Sequence, residues 1–283
     1  MSTLSTIEVV ASSIAAILQG RPSAVLSDFD GTLSPVAPRP DAAVMAPGVA
    51  DVLTALHERV DLVGIVTGRG AADVMAKVPV DGLEYVGNHG LEWVDPAGHH
   101  VHPAGLEAER ALPGLLATIR DRLASEVSLD GVIFEDKQYS ASIHYRLAND
   151  PAFVGTVLDR VVDDIAGVHG LWVSPGKMVI ELRPGARITK GTAVRRLAES
   201  HQCRSMIFLG DDVTDTDAFI ALNDLARETG VKTCNVGVLT ADTHPLVVEN
   251  SDFLLDGVNE VVAMLTEVAA RLPLLDAAGR SQS

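Results

Sequence analysis

The chain has 283 residues, enough for one large domain or two smaller ones at about 100–200 residues per domain. Hydrophobic residues make up 47% and charged residues 21%, which excludes collagen-like, mucin-like and wholly disordered chains. Lys and Arg number 22 against 38 Asp and Glu, and the net charge of −16 excludes general affinity for nucleic acid or anionic lipid, so any phosphate site needs local cations or a metal.

Ile7 to Leu18 is apolar, but no basic leader precedes it and Glu8, Ser12 and Ser13 interrupt it. It is too short to span a bilayer and reads as an amphipathic opening helix rather than a secretory signal. No other apolar run approaches membrane length, so a soluble, cytoplasmic protein without a membrane partner is expected. Short apolar runs then alternate with helix-period stretches. Strands are expected at Ala24 to Ser27, Asp61 to Val66 and Leu83 to Val86, with helices at Val49 to Arg59 and Ala71 to Lys77. The rhythm resumes late, with helices near Thr192 to Ser200, Thr216 to Glu228 and Val258 to Leu272, and strands at Ser205 to Leu209, Lys232 to Val236 and Phe253 to Leu255. Such alternation argues for a parallel sheet covered by helices. Cys203 and Cys234 are too few and too scattered for a disulfide framework or a zinc cluster and read as buried free thiols of a reducing compartment.

Between Leu106 and Pro184 the pattern changes to helix (Glu107 to Ser125), strands (Val132 to Phe134, Ser140 to Arg146), helix (Pro151 to Ile165) and strands (Leu171 to Ser174, Lys177 to Arg183). The expected organisation is α/β, with a core formed by residues 1–105 and 185–283 and an inserted antiparallel α+β domain at 106–184. Strand alternation puts Ser140, Ser142, His144 and Arg146 on one face and Ala141, Ile143 and Tyr145 on the other. It likewise separates Lys177, Glu181 and Arg183 from Met178, Ile180 and Leu182, and Glu135 and Lys137 share a face. The apolar faces can pack on the two helices. A sheet with one polar face remains, either solvated or carrying hydrogen-bond partners for a polyhydroxylated ligand. His99, His100 and His102 fall in an expected loop without a carboxylate pattern to support a metal site.

Ligands of an open parallel sheet bind beyond the carboxyl ends of its strands. Asp28-Phe29-Asp30-Gly31-Thr32 follows the first strand, Thr67-Gly68-Arg69 the second, and Gly87-Asn88-His89-Gly90 the third. Lys190 opens a helix after the insert, and Gly210-Asp211-Asp212-Val213-Thr214-Asp215 follows the next strand. Asp28, Asp30 and Asp211 form an oxygen set suited to Mg²⁺, although Asp-Gly alone can mark a turn and Asp212 to Asp215 can cap a helix. Thr67, where a following helix offers free N–H groups, and Lys190, a point charge, suit phosphate. Separately they would be an N-cap and a surface lysine.

Asp28 to Ser34, the Thr67-Gly68-Arg69 turn, Lys190 and Gly210 to Asp215 resemble the four motifs of the haloacid dehalogenase superfamily of phosphohydrolases, in the same order. Closer still, Asp28 to Pro35, Gly87 to Gly90 and Gly210 to Phe219, with Glu135-Asp136-Lys137, His144-Tyr145-Arg146, Gly176-Lys177 and Glu181-Leu182-Arg183-Pro184 in the insert, resemble the trehalose-6-phosphate phosphatase family. Thr67 stands where Ser is also common and Thr216 where Glu is usual, and neither change removes a group the chemistry needs. The resemblance implies a Rossmann-like core with a cap domain and Mg²⁺-dependent hydrolysis of trehalose 6-phosphate through an aspartyl-phosphate on Asp28. Asp30 would serve as acid and base, and Thr67, Gly68 and Lys190 would bind phosphate. Asp28, the Asp30 carbonyl and Asp211 would hold the metal, with Asp212 and Asp215 in support. Asn88, His89, Glu135, Lys137, Arg146, Lys177 and Glu181 would contact substrate. Another sugar-phosphate phosphatase, a hexose-phosphate mutase or a non-catalytic binding protein are the alternatives. No glycosyltransferase region is seen, so a separate synthase chain is the expected pathway neighbour.

Overall fold

The computed structural model describes residues 6–169, 171–176, 178–185 and 187–275. The described residues divide into two units, Met1–His99 with Ile188–Ser283, and His100–Arg187.

The core unit opens with α1 (Ile7–Leu18), β1 (Ser23–Ser27), α2 (Val49–His57), β2 (Leu62–Val66), α3 (Ala71–Lys77), β3 (Glu84–Gly87) and β4 (Glu92–Asp95). Strand β5 (Gly98–Val101) crosses the boundary between the units. The inserted unit holds α4 (Pro103–Ala124), β6 (Ile133–Asp136), β7 (Ala141–His144), α5 (Pro151–His169), β8 (Leu171–Gly176) and β9 (Val179–Pro184). The core resumes with α6 (Lys190–Ser200), β10 (Ser205–Gly210), α7 (Thr216–Thr229), β11 (Lys232–Leu239), α8 (Pro245–Glu249), β12 (Phe253–Asp256) and α9 (Gly257–Arg271).

Eight strands run in the order β12-β11-β10-β1-β2-β3-β4-β5. Pairing is parallel from β12 through β3 and antiparallel between β3 and β4. Every residue of β1, β2 and β10 is buried, as expected of strands covered on both faces. Alternation sorts their side chains: Val25, Val63, Ile65, Ile207 and Leu209 pack in one apolar layer with residues of α1, α2 and α9. Ala24, Leu26, Leu62, Val66, Met206 and Phe208 fill the opposite layer with residues of α6 and α7. From β1 the chain steps outward through β2 and β3, then returns at β10 and steps the other way. The crevice at the carboxyl ends of β1 and β10 is therefore a topological switch point, where ligands of such sheets bind.

The inserted unit is an antiparallel sheet in the order β6-β7-β9-β8. Ala141, Ile143, Ile180 and Leu182 point into a core shared with Leu112, Ile119 and Leu123 of α4 and Leu158, Val161 and Val162 of α5. Two expectations are corrected here. Met178 does not share the apolar face: it sits at φ 59° in the turn before β9 and is exposed. The histidines are not in a loop, because His99 and His100 lie on β5, paired within a hairpin whose turn is held by the Ala97 and Gly98 amides donating to the Asp95 carboxylate. His102 is the N-cap of α4, its ring accepting from the Ala104 amide, and His99 does have a carboxylate partner, its Nε2 lying 2.7 Å from Glu92.

Among the described residues no helix is long and apolar enough to cross a membrane. Cys203 and Cys234 are buried free thiols, and burial pushes each up to about 12.

Candidate active site

The sheet ladder itself carries Asp28 past the end of β1, its amide donating to the Leu209 carbonyl of β10. A tight turn follows, in which the Leu33 and Ser34 amides donate to the Phe29 carbonyl. Gly31 has φ +78°, and a Cβ there would lie 2.2 Å from the Asp211 carboxylate. Only glycine satisfies both the left-handed backbone and the close approach of Asp211. Gly210 plays the matching part at the end of β10, where a Cβ would strike the Asp215 side chain at 2.3 Å.

These approaches bring Asp28, Asp211 and Asp215 together, with one carboxylate oxygen from each within 4.8 Å of the others and all three residues buried. Lys190, the first residue of α6, reaches into the cluster and is itself buried. Its Nζ lies 3.0 Å from Asp28 Oδ1 and 2.7 Å from Asp215 Oδ1. A capping box fixes this helix start, with the Thr189 hydroxyl accepting from the Gly191 amide and the Thr192 hydroxyl accepting from the Thr189 amide.

Burial and like charge set the electrostatics. Burial pushes the Asp28 carboxyl up to about 7; Lys190 opposes this while Asp215 and Asp30 reinforce it. Asp215 is raised by burial against the pull of Lys190. Burial alone would lower the Lys190 ammonium, but Asp215 and Asp28 overcome it and hold the group charged. Three clustered carboxylates, two of them on the Lys190 ammonium, form a donor set of hard oxygens with net negative charge, which fits Mg²⁺. The members differ in availability: Asp215 uses Oδ1 on Lys190 and Oδ2 on the Asp211 and Asp212 amides. It therefore orients the cluster from within the chain. Asp212 caps the short turn that Asp215 ends and lies outside the carboxylate group.

Asp30 also stands apart from that group. Both of its oxygens are taken by the guanidinium of Arg69, Nε to Oδ2 at 2.6 Å and Nη2 to Oδ1 at 2.8 Å. Thr67 is buried at the end of β2, its hydroxyl accepting from the Arg69 amide, and Gly68 lies in the same turn. The turn is laced to Asn88 and His89, whose amides donate to the Arg69 and Thr67 carbonyls. Asn88 and His89 are both buried at positive φ, and the Asn88 amide nitrogen donates to Glu92 Oε1 at 2.6 Å. Buried Glu92 also accepts from the Ala71 amide at the start of α3. Sequence reasoning gave no role to Arg69 or Glu92. Arg69 had a signal in its position, a cation inside a motif next to the acidic strand ends of a strongly acidic chain.

In the inserted unit, register aligns Glu135, Ser142, Glu181 and Ser174 in one polar row across all four strands. Lys137 Nζ lies 3.3 Å from Glu181 and His144 Nε2 lies 2.8 Å from Glu135, so the expected polar residues meet as pairs. Arg183 is buried over the Trp172 ring, 4.1 Å from its centroid. Arg146 follows β7 and is half-buried, and Lys177 lies outside the described residues.

Residues 26–252 match the family model described as trehalose-phosphatase. A protein of Mycobacterium avium named trehalose-phosphate phosphatase is 41% identical over 214 residues, covering 72% of this chain and 52% of that protein. A Mycobacterium tuberculosis protein named an uncharacterized glycosyl hydrolase is 36% identical over 239 residues, covering 82% of this chain and 17% of that protein. The chain thus spans about half the length of the first relative and about a sixth of the second. Among solved structures, the C-terminal domain of the Candida albicans trehalose-6-phosphate phosphatase superposes with a TM-score of 0.78 at 20% identity, covering 95% of this chain and 98% of that one, a likeness of fold.

Proposed function

Because the chain belongs to the trehalose-phosphatase family of the haloacid dehalogenase superfamily, we propose that it hydrolyses trehalose 6-phosphate to trehalose and phosphate. The observation that carries this reading is the buried Asp28–Lys190–Asp215–Asp211 cluster at the switch point of the sheet.

Phosphoryl transfer demands mainly positioning and charge neutralisation. Asp28 attacks phosphorus in line; the bond to the sugar oxygen breaks as the bond to the carboxylate oxygen forms. Asp30 gives its proton to the departing sugar oxygen. In the second half it takes a proton from the attacking water as phosphate leaves Asp28. Lys190, held charged by its two carboxylate neighbours, neutralises the phosphoryl group together with Thr67 and the Gly68 amide. Phosphatases of this superfamily generally use Mg²⁺. Here Asp28, Asp211 and the Asp30 backbone carbonyl would hold the ion, with Asp212 and Asp215 behind them, and it would offset charge on the phosphoryl oxygens. Glu135, Lys137, Arg146 and Glu181 of the inserted unit would supply acceptors and donors for sugar hydroxyls, with Glu135 and Glu181 in one polar row and Lys137 paired to Glu181. A separate synthase forming trehalose 6-phosphate would supply the substrate.

The test is phosphate release from trehalose 6-phosphate beside glucose 6-phosphate and sucrose 6-phosphate, with Mg²⁺ and with chelator. Selective release from trehalose 6-phosphate that chelator abolishes is expected. Preference for another sugar phosphate would overturn the substrate assignment, and sugar-phosphate isomerisation without phosphate release would make the protein a mutase.

A further inference from the structure

We propose that Arg69 is a positioning residue for proton transfer, holding and charge-stabilising Asp30 as the leaving oxygen is protonated; this rests on the acid–base role assigned to Asp30 above. The Asp30 side chain is 39% exposed on a turn, so packing does not fix it. The Arg69 fork does, by taking both carboxylate oxygens. The fork is itself fixed from several directions. Nη1 donates to Asp73 Oδ2 at 2.7 Å in the first turn of α3, and Nη2 also donates to the Pro40 carbonyl at 3.0 Å. The guanidinium carbon lies 5.4 Å from the centroid of the Phe29 ring, and the Arg69 side chain is only 8% exposed. At the backbone, its amide donates to the Thr67 hydroxyl and its carbonyl accepts from the Asn88 amide.

An arginine built in this firmly presents donors that need no rearrangement when charge develops on its partner. Asp30 enters this step protonated on a lone pair that the Arg69 fork leaves open; as the phosphorus–sugar bond breaks, that O–H bond breaks and its proton passes to the sugar oxygen. The carboxylate that remains already faces two N–H groups. When water later attacks the phosphorylated Asp28, the proton returns to Asp30 and phosphate departs. The benefit of Arg69 therefore scales with how much the leaving group needs a proton. A sugar alkoxide needs one; p-nitrophenolate departs without it.

The experiment compares kcat and KM for trehalose 6-phosphate and p-nitrophenyl phosphate in wild type, Arg69→Met, Arg69→Lys, Asp73→Asn and Asp30→Asn. General acid–base catalysis supplies roughly 10²–10⁴-fold, and of this Arg69→Met is expected to remove at least about tenfold in kcat for the sugar phosphate beyond its effect on the aryl phosphate, with KM moving little. Arg69→Lys fails to restore the ratio, because an ammonium lacks two parallel donors. Asp73→Asn shifts it in the same direction by less. Equal losses on both substrates, or full rescue by lysine, would overturn the proposal. Should Arg69→Met fail to fold by circular dichroism, Asp73→Asn decides, and an unchanged substrate ratio there counts against the proposal. If Asp30→Asn itself leaves the ratio unchanged, the acid–base reading of Asp30 fails first, and the role of Arg69 falls with it.

Discussion

The two units carry charge in different ways. In the core unit the charged groups are buried and over-determined: Asp28, Asp211, Asp215 and Lys190 are all nearly inaccessible, and each sits at the end of a buried strand or in the turn or helix start beside one. In the inserted unit Glu135 and His144 remain about a quarter exposed and meet across neighbouring strands of a single polar face. Burying like charges without full compensation costs stability, and a fold tolerates it where the chemistry needs a fixed geometry. Pairs of opposite charge matched one to one, His144 with Glu135 and the more buried Lys137 with Glu181, leave no such surplus of like charge and can be exchanged for a ligand's hydroxyls. The first arrangement suits bond breaking and the second recognition.

That contrast can be broken by experiment. Asp28→Asn should reduce turnover by roughly 10⁴-fold or more, the scale seen when an enzyme loses its nucleophile. It should not lower the thermal midpoint, because it removes one like charge from the buried cluster. A modest loss of activity would make Asp28 a bystander. Lys190→Met leaves Asp28 and Asp215 facing each other without a cation and should cost about 3–5 kcal/mol in urea unfolding, whereas Lys137→Met in the inserted unit should cost clearly less. Equal losses would erase the distinction between the units. Glu181→Gln should raise KM for trehalose 6-phosphate by roughly tenfold to a hundredfold, the range for losing a hydrogen bond to a charged group, with a smaller effect on kcat. A pure kcat effect would place recognition elsewhere.

The smallest effect concerns pH. Glu84 lies 2.7 Å from His201, and its hydrogen bond raises the histidine above 6.5 against the opposing effect of burial. A raised folded-state value means that the stabilisation is complete below about 6.5 and disappears as pH rises through the folded value. After solvent screening, His201→Gln should cost about 0.5 kcal/mol in mildly acidic buffer and nothing in alkaline buffer. An opposite pH trend would show that His201 is bound neutral.

The sequence made the layered core legible because its strands are continuous apolar runs and its helices keep their period. Ile7–Leu18 and Ala71–Lys77 end where the pattern ends. The β4–β5 hairpin was hidden, because Gly98-His99-His100-Val101 has no apolar alternation and its stability comes from the Asp95 turn and the His99–Glu92 contact. In the candidate site the acidic strand ends and Lys190 could be read from motif order alone. The partition of the aspartates could not. Whether Asp30 joins the carboxylate cluster or is clasped by Arg69, and whether Asp215 faces outward or spends both oxygens on Lys190 and backbone amides, depends on contacts between segments far apart in sequence. Local periodicity carries no information about such pairing. For the same reason the donation from the Asn88 side-chain nitrogen to Glu92 is not legible in the sequence.

The claim on which the rest depends is that Asp28 carries the phosphoryl group between two half-reactions. Acid quenching during turnover of trehalose 6-phosphate, followed by proteolysis and mass spectrometry, reads this directly. A phosphoryl adduct on Asp28, absent from Asp28→Asn, is the predicted result. Turnover at a normal rate in Asp28→Asn, or an adduct on any other residue, would contradict it.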